Sequence, residues 1–138
     1  MLIIKPEQMD AFKATADAAF VRRVASYLRE KHGEVIVELP NATMAVKQIP
    51  EDMLCEMARK GVERAREYGM TWESSLTAFV VLMFVTAPNF DDHPLIQRAM
   101  RDESIPPDLR IDQLWERTTD QNWEAVERGY DPQGWGVG

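Results

Sequence analysis

The sequence is poor in the residues that build disulfides and metal centres. It has one cysteine, Cys55, and two histidines, His32 and His93. A single thiol cannot form an internal disulfide, and neither histidine belongs to the Glu-x-x-His pairs that hold a di-iron site in helical bundles. We therefore expect no metal and no other cofactor. We interpret Cys55 as an ordinary thiol on a helix, because nothing around it in the sequence suggests an activating base.

Motifs of the common enzyme classes are also missing. The chain contains no Gly-x-Ser-x-Gly, no Gly-x-x-x-x-Gly-Lys-Ser/Thr and no Gly-x-Gly-x-x-Gly. These patterns form a nucleophile elbow or wrap backbone around phosphates, so hydrolase and nucleotide-binding interpretations have no support. Carboxylates are abundant, but without geometry no acid/base pair can be chosen among 23 of them. We predict a protein that is not an enzyme.

Positive charge is in deficit, and the deficit is confined to the second half. Residues 1–69 carry 11 Lys+Arg and 11 Asp+Glu, whereas residues 70–138 carry 5 and 12, which accounts for the whole net charge of −7. Nonspecific nucleic-acid binding needs a basic surface that replaces phosphate counterions, so we expect no nucleic-acid partner. An acidic face would attract basic partners. The alternative, which the sequence leaves open, is a solvated surface that aids solubility.

No apolar run reaches the roughly 20 residues that a bilayer span requires. The stretch from Ser74 to Phe90 has no charge, but it is too short and too rich in Ser and Thr for such a span. We predict that it forms the buried central helix of a bundle and that the protein does not insert into membranes. The opening Met1–Glu7 has no basic leader and no small-residue cleavage site, so we expect a cytoplasmic protein.

Apolar periodicity predicts one all-α domain over residues 1–138, a length sufficient for one hydrophobic core. Pro6 and Pro50 suit first helical turns, Gly33 and Gly69 suit helix ends, and Thr71 can cap the third helix. The predicted helices span about 6–33, 50–69, 72–86, 94–102 and 108–128. Four of these are substantial and the helix near 94–102 is short, so we expect a compact bundle of four main helices with one short addition.

Two segments are predicted to be irregular. The run Glu34–Leu39 has β-branched character, but no similar run follows to pair with it. We therefore expect 34–48 to be an irregular connection with a short extended piece. Residues 129–138 are rich in glycine and are expected to form a flexible tail unless Trp135 docks.

The four tryptophans all lie in the acidic second half of the sequence. Tryptophans beside acids suit an interface for a basic partner. Trp115 falls on the apolar stripe of the last helix and is assigned to the core, whereas Trp123 lies off that stripe and Trp135 lies in the tail. The candidate partner-binding residues are Phe90, Asp91, Asp92, Asp120, Trp123, Glu124, Glu127 and Trp135.

Several runs resemble a family of small helical proteins encoded beside type VI secretion effectors. They are Gly61-Val62-Glu63-Arg64-Ala65-Arg66-Glu67-Tyr68-Gly69-Met70-Thr71, Leu82-Met83-Phe84, Ala87-Pro88-Asn89-Phe90-Asp91-Asp92-His93-Pro94, Gln8-Met9-Asp10-Ala11-Phe12 and Leu109-Arg110-Ile111-Asp112-Gln113-Leu114. Residues 34–48 and those after Arg128 show no match. The resemblance implies a bacterial cytoplasmic accessory protein that binds a secreted effector or its loading chaperone and influences delivery. The alternative is an immunity protein that neutralises the toxin through its acidic surface, and a homodimer stays open.

Overall fold

Residues 6–137 fold into six α-helices and a small hairpin. The computed structural model describes the backbone of residues 6–137 and the side chains of residues 17–137, so the opening Met1–Lys5 lies outside the described residues. The helices are α1 (Pro6–His32), α2 (Glu51–Glu67), α3 (Glu73–Val85), α4 (Pro94–Met100), α5 (Arg110–Arg117) and α6 (Asp120–Arg128), and the strands are β1 (Ile36–Leu39) and β2 (Ala42–Ala45). Short 3-10 turns lie at Val46–Gln48, Phe90–Asp92, Pro107–Leu109 and Pro132–Trp135. The described part of the chain is mostly helical, as predicted. The prediction of an all-α bundle of four main helices and one short helix is wrong in two respects, because residues 6–137 form six helices and also a two-stranded sheet.

Proline and glycine set the ends of the first two helices, as the sequence predicts. Pro6 is the first residue of α1, and Gly33 follows its last residue. Pro50 directly precedes α2, and Gly69 follows that helix with a φ of +95°. Residues with a side chain rarely adopt a positive φ, so Gly69 ends the helix and turns the chain toward α3.

The two central helices, α2 and α3, approach each other through a glycine. A Cβ on Gly61 would lie 2.8 Å from Met83 Sδ and 2.9 Å from Val80 Cγ2, so the contact has no room for a side chain. The buried residues of α3 are Ser75, Leu76, Phe79, Val80, Leu82, Met83 and Phe84. The prediction of a buried central helix is confirmed for most of its circumference, but a strip between Ser74 and Val85 reaches solvent. Among residues 6–137 no helix is both long and apolar enough to cross a membrane.

The segment predicted to be irregular contains an antiparallel hairpin. β1 pairs with β2 in the register that sets Ile36 opposite Ala45 and Leu39 opposite Ala42, which leaves a two-residue turn. Val37 and Leu39 are buried, so one face of β1 faces the core. The sequence concealed this pairing because β2 has little β propensity of its own. Its stability therefore comes from tertiary contacts rather than from local preference.

The C-terminal segment docks against β1 through Trp135. The indole is fully buried and its ring centroid lies 4.6 Å from that of Phe84. Its Nε1 donates hydrogen bonds to the Glu38 carbonyl at 3.0 Å and to the Tyr130 hydroxyl at 2.9 Å. Tyr130 in turn accepts a hydrogen bond from the Glu38 backbone N–H at 3.0 Å. The tail was expected to be flexible unless Trp135 docks. Trp135 does dock, and this segment seals the outer edge of β1.

Candidate protein-binding surface

The predicted last helix is broken in the middle. Thr118 and Thr119 both have extended backbone, and they separate α5 from α6. The Thr119 hydroxyl accepts a hydrogen bond from the Asn122 N–H at 3.3 Å, and Asn122 Oδ1 accepts one from the Thr119 N–H at 2.8 Å. This reciprocal arrangement is a capping box, which stabilises a new helix start at this point. The motif Thr119-Asp120-Gln121-Asn122 is the sequence signal that predicts the break.

Because of the break, two tryptophans meet at the surface. The ring centroids of Trp115 and Trp123 are 5.4 Å apart with an interplanar angle of 32°. Trp123 is half-buried, and its Nε1 donates a hydrogen bond to the Thr118 hydroxyl at 2.9 Å, which fixes the orientation of its indole. Trp115 was assigned to the core, but its side chain is 57% exposed. The assignment of Trp115 to the core assumed one continuous helix. The chain changes direction at Thr118, so the apolar stripe that such a helix would have carried ends there.

A row of carboxylates runs along α6 beside these indoles. Asp120, Glu124 and Glu127 are exposed, and their spacing of four and three residues sets them on one face of the helix. None of the three is ion-paired with another residue whose side chain the structure describes. Asp120 lies at the positive end of the helix dipole, which stabilises it. Glu127 lies near the negative end, where it adds to the local negative potential.

These residues together form what we call the α5–α6 surface: Trp115, Asp120, Trp123, Glu124 and Glu127. It joins exposed aromatic area to unpaired negative charge. Aromatic side chains contribute most of the binding energy in protein interfaces, and charge around them steers and selects the partner. The arrangement therefore suits a basic protein surface that carries apolar groups.

The loop before Pro94 contributes little to this surface. Phe90 is fully buried against Phe79, with ring centroids 4.9 Å apart. Asp91 is 4% exposed and accepts hydrogen bonds from the Arg64 guanidinium and from the Tyr68 hydroxyl, the latter at 2.7 Å. Burial, together with the hydrogen bond to Asp91, raises the pKa of Tyr68. The prediction that Phe90 and Asp91 contact a partner is corrected, because both are needed inside the fold.

Two further candidates have opposite outcomes. Asp92 is exposed in the 3-10 turn before His93, so it remains accessible. Trp135 is fully buried behind β1 and cannot reach a partner without undocking the C-terminal segment. Composition alone could not separate these cases, because burial of Trp135 depends on residues far away in the sequence.

A polar cleft of about 660 Å³ is lined by the C-terminal ends of α2 and α4, and Arg110 is part of its lining. Arg110 is 8% exposed and donates hydrogen bonds to the carbonyls of Tyr68, Met100 and Ile105 at 3.0, 2.8 and 3.0 Å. Two of these carbonyls belong to helix C-termini, whose partial negative charge complements a guanidinium. Arg110 is thus explained as a structural tie between the ends of the two helices.

The residues that the structure describes include one cysteine, Cys55, and two histidines, His32 and His93. Within this part of the chain no three His, Cys, Asp or Glu side chains come close enough together to hold a metal ion. The Cys55 thiol is free, and burial, followed by the charges of Glu51 and Asp52, raises its pKa. A raised pKa keeps the thiol protonated and therefore a poor nucleophile. His93 caps α4, its Nδ1 accepting a hydrogen bond from the Leu95 N–H at 3.2 Å.

Comparison of this chain with protein-family models, with curated proteins and with solved structures finds no match.

Proposed function

We propose that this protein is a non-enzymatic accessory factor of a bacterial type VI secretion effector module. It works in the cytoplasm, where it binds an effector or the loading chaperone of that effector and modulates delivery. The geometry of the α5–α6 surface supports the binding role, and the sequence resemblance supports the secretion context.

The observation that carries the binding role is the exposed Trp115–Trp123 pair beside the carboxylates of α6. Two indoles in contact at the surface form a larger continuous apolar area than a single exposed side chain, and such an area suits contact with a partner. The hydrogen bond from Trp123 to Thr118 holds one ring in place before binding, so less side-chain entropy is lost on association. Exposed carboxylates beside the rings favour a basic partner over an acidic one.

The second candidate function is an immunity protein, and the row Asp120, Glu124 and Glu127 favours it. Toxins that act on nucleic acids bind phosphates through basic clefts. Three carboxylates on one helix face can replace those phosphates and so block the cleft. The two candidates use the same surface but differ in what binding does to the toxin.

The test is affinity purification of the tagged chain from its native cells at physiological salt, followed by identification of the bound protein. The α6 variant Asp120→Asn/Glu124→Gln/Glu127→Gln removes three charges with little change in shape. Its matched control is Glu30→Gln/Glu67→Gln/Glu103→Gln, which removes three exposed charges elsewhere. We expect the effector or its chaperone to be retained by the control and lost from the α6 variant. Recovery of neither protein by the unaltered chain would overturn the proposal.

Co-expression with the neighbouring effector separates the two candidates. An immunity protein expressed alone rescues cells from the toxin, and the α6 variant loses that rescue. A delivery factor co-purifies with the loading chaperone and leaves toxicity unchanged.

A further inference from the structure

The uncovered strip of α3 is the floor of a groove between α1 and α5. The groove has a volume of about 480 Å³. Tyr27 of α1 forms one wall and Trp115 of α5 forms the other. Its lining also includes Ser74, Ala78, Val81, Val85 and Asp112. We call this feature the α3 groove.

The α3 groove gathers exposed apolar side chains. Six large hydrophobic residues are exposed among those whose side chains the structure describes, and three of them, Tyr27, Val85 and Trp115, line this groove. Their exposed fractions are 43%, 38% and 57%. Single exposed apolar residues are common on monomers, but several lining one concave surface indicate a place where a partner binds.

The groove suits a helix better than an extended peptide. An extended segment must find partners for its backbone N–H and C=O groups, whereas a helix satisfies its own. The groove lies between helices and has no strand edge, and the Thr77 hydroxyl already donates to the Glu73 carbonyl at 2.7 Å. Ser74 and Ala78 are small, which permits close approach of a second helix. From Ser74 to Val85 the floor is about 17 Å long at about 1.5 Å per residue, which is about three helical turns.

Charge complementarity points to a basic occupant. Among the described residues that line the groove, Asp112 is the one Asp, Glu, Lys, Arg or His, and it is exposed. At the Ser74 end the positive charge of Arg23 is already engaged by Glu73 at 2.7 Å. Trp115 also belongs to the α5–α6 surface, so the acids of α6 continue the negative potential beyond this wall. Lysine or arginine beside an apolar stripe would complement this distribution.

We propose that the α3 groove binds an amphipathic, basic helix of about three turns that belongs to a partner protein. The inference deepens the proposed function and rests on it for the identity of the occupant as a segment of a partner. The apolar stripe of that helix lies on Val81 and Val85 between Tyr27 and Trp115. Its basic residues flank the stripe on the side of Asp112.

The experiment is selection of a displayed library of random 14-residue peptides on the intact protein, followed by affinity measurement with the recovered peptides. We expect them to show apolar residues at spacings of three and four with an excess of Lys and Arg, and to bind less tightly as salt increases. Trp115→Ala and Val85→Lys should each weaken binding about tenfold or more. Trp72→Ala is the matched control, because Trp72 is 54% exposed and lies outside the groove lining, and it should change affinity less than about twofold. Unchanged thermal unfolding of each variant excludes loss of the fold as the cause.

Three outcomes would overturn the inference: no peptides recovered, peptides that are proline-rich or acidic, or binding unaffected by both groove variants. A dimer in sedimentation that Val85→Lys dissociates would also overturn it, because a second copy would then cover the groove. Failure of the proposed function is distinguishable from these results. A natural partner whose binding depends on the α6 carboxylates and on Trp115 but not on Val85 leaves the proposed function intact and overturns the inference that the groove binds a helix. If basic helical peptides are recovered but no effector or chaperone is captured from cells, the helix-binding groove stands and the proposed function is overturned.

Discussion

Replacing Trp135 with alanine tests whether the C-terminal segment is an integral part of the fold. The indole is fully buried against Phe84, and it donates hydrogen bonds to the Glu38 carbonyl and the Tyr130 hydroxyl. Truncating a buried tryptophan to alanine costs about 3–5 kcal/mol through lost burial and the cavity left behind. The Glu38 carbonyl keeps Tyr130 as a donor, so an unsatisfied acceptor adds little. Urea unfolding followed by far-ultraviolet circular dichroism should show a loss of about 3–5 kcal/mol.

Two further variants separate the sources of this loss. Trp135→Phe retains an aromatic ring beside Phe84 but removes the N–H donor, and it should lower the free energy of unfolding by about 1–2 kcal/mol. Trp115→Ala is the control, because that indole is largely exposed, and it should change the free energy by less than about 1 kcal/mol. If Trp135→Ala proves as mild as Trp115→Ala, the docked segment contributes nothing to stability, and its assignment to the core is wrong.

Two other predictions concern helix packing and a surface carboxylate. Gly61→Ala should lower the free energy of unfolding in urea by about 1–3 kcal/mol, because the added methyl group would meet Met83 Sδ at 2.8 Å. Gly129→Ala, whose Cβ would meet its nearest neighbour at 3.5 Å, should change it by less than about 0.5 kcal/mol, and equal effects would contradict the packing argument. The Asp102 carboxyl should titrate by NMR with a pKa of about 2, because the Ser104 hydroxyl bonds its charged form, and Ser104→Ala should raise that pKa toward 3.8. The stabilisation from Asp102 is therefore complete above pH 3.8 and is lost as the pH falls through about 2. If Ser104→Ala leaves the titration midpoint of Asp102 unchanged, the Ser104 hydrogen bond is not what lowers its pKa.

The helices were predictable because their signals are local. Proline and glycine fixed the ends of α1 and α2, and apolar spacing predicted that both segments are helical. The start of α3 was less predictable. The prediction that Thr71 caps this helix is wrong, because Trp72 is the N-cap residue and no side chain caps the helix. The Asp108 carboxylate instead holds the preceding turn by accepting hydrogen bonds from the backbone N–H groups of Thr71 and Trp72, both at 2.9 Å. Hydrogen bonds to an acceptor more than 30 residues away leave no signal in the local sequence.

The candidate site was predictable in its charges and less so in its aromatic residues. The spacing of Asp120, Glu124 and Glu127 sets them on one face of any helix that contains them, so their clustering follows from the sequence. Whether Trp115 is buried depends on the direction of the chain after Thr118, and that direction follows from a capping box that competes with helix continuation. Trp135 is the opposite case, a residue expected at an interface that is buried in the fold. Its burial depends on β1, and the sequence did not predict that this strand pairs.

The docking of Trp135 on Glu38 also has a consequence during protein synthesis. The two residues are 97 positions apart, so a ribosome that adds about 5–20 residues per second produces the indole about 5–20 s after the strand that it covers. Throughout that interval the backbone N–H and carbonyl of Glu38 lack the groups that later bind them. An unsealed strand edge is open to pairing with other nascent chains, so newly made copies are most vulnerable to aggregation before Trp135 has been synthesised.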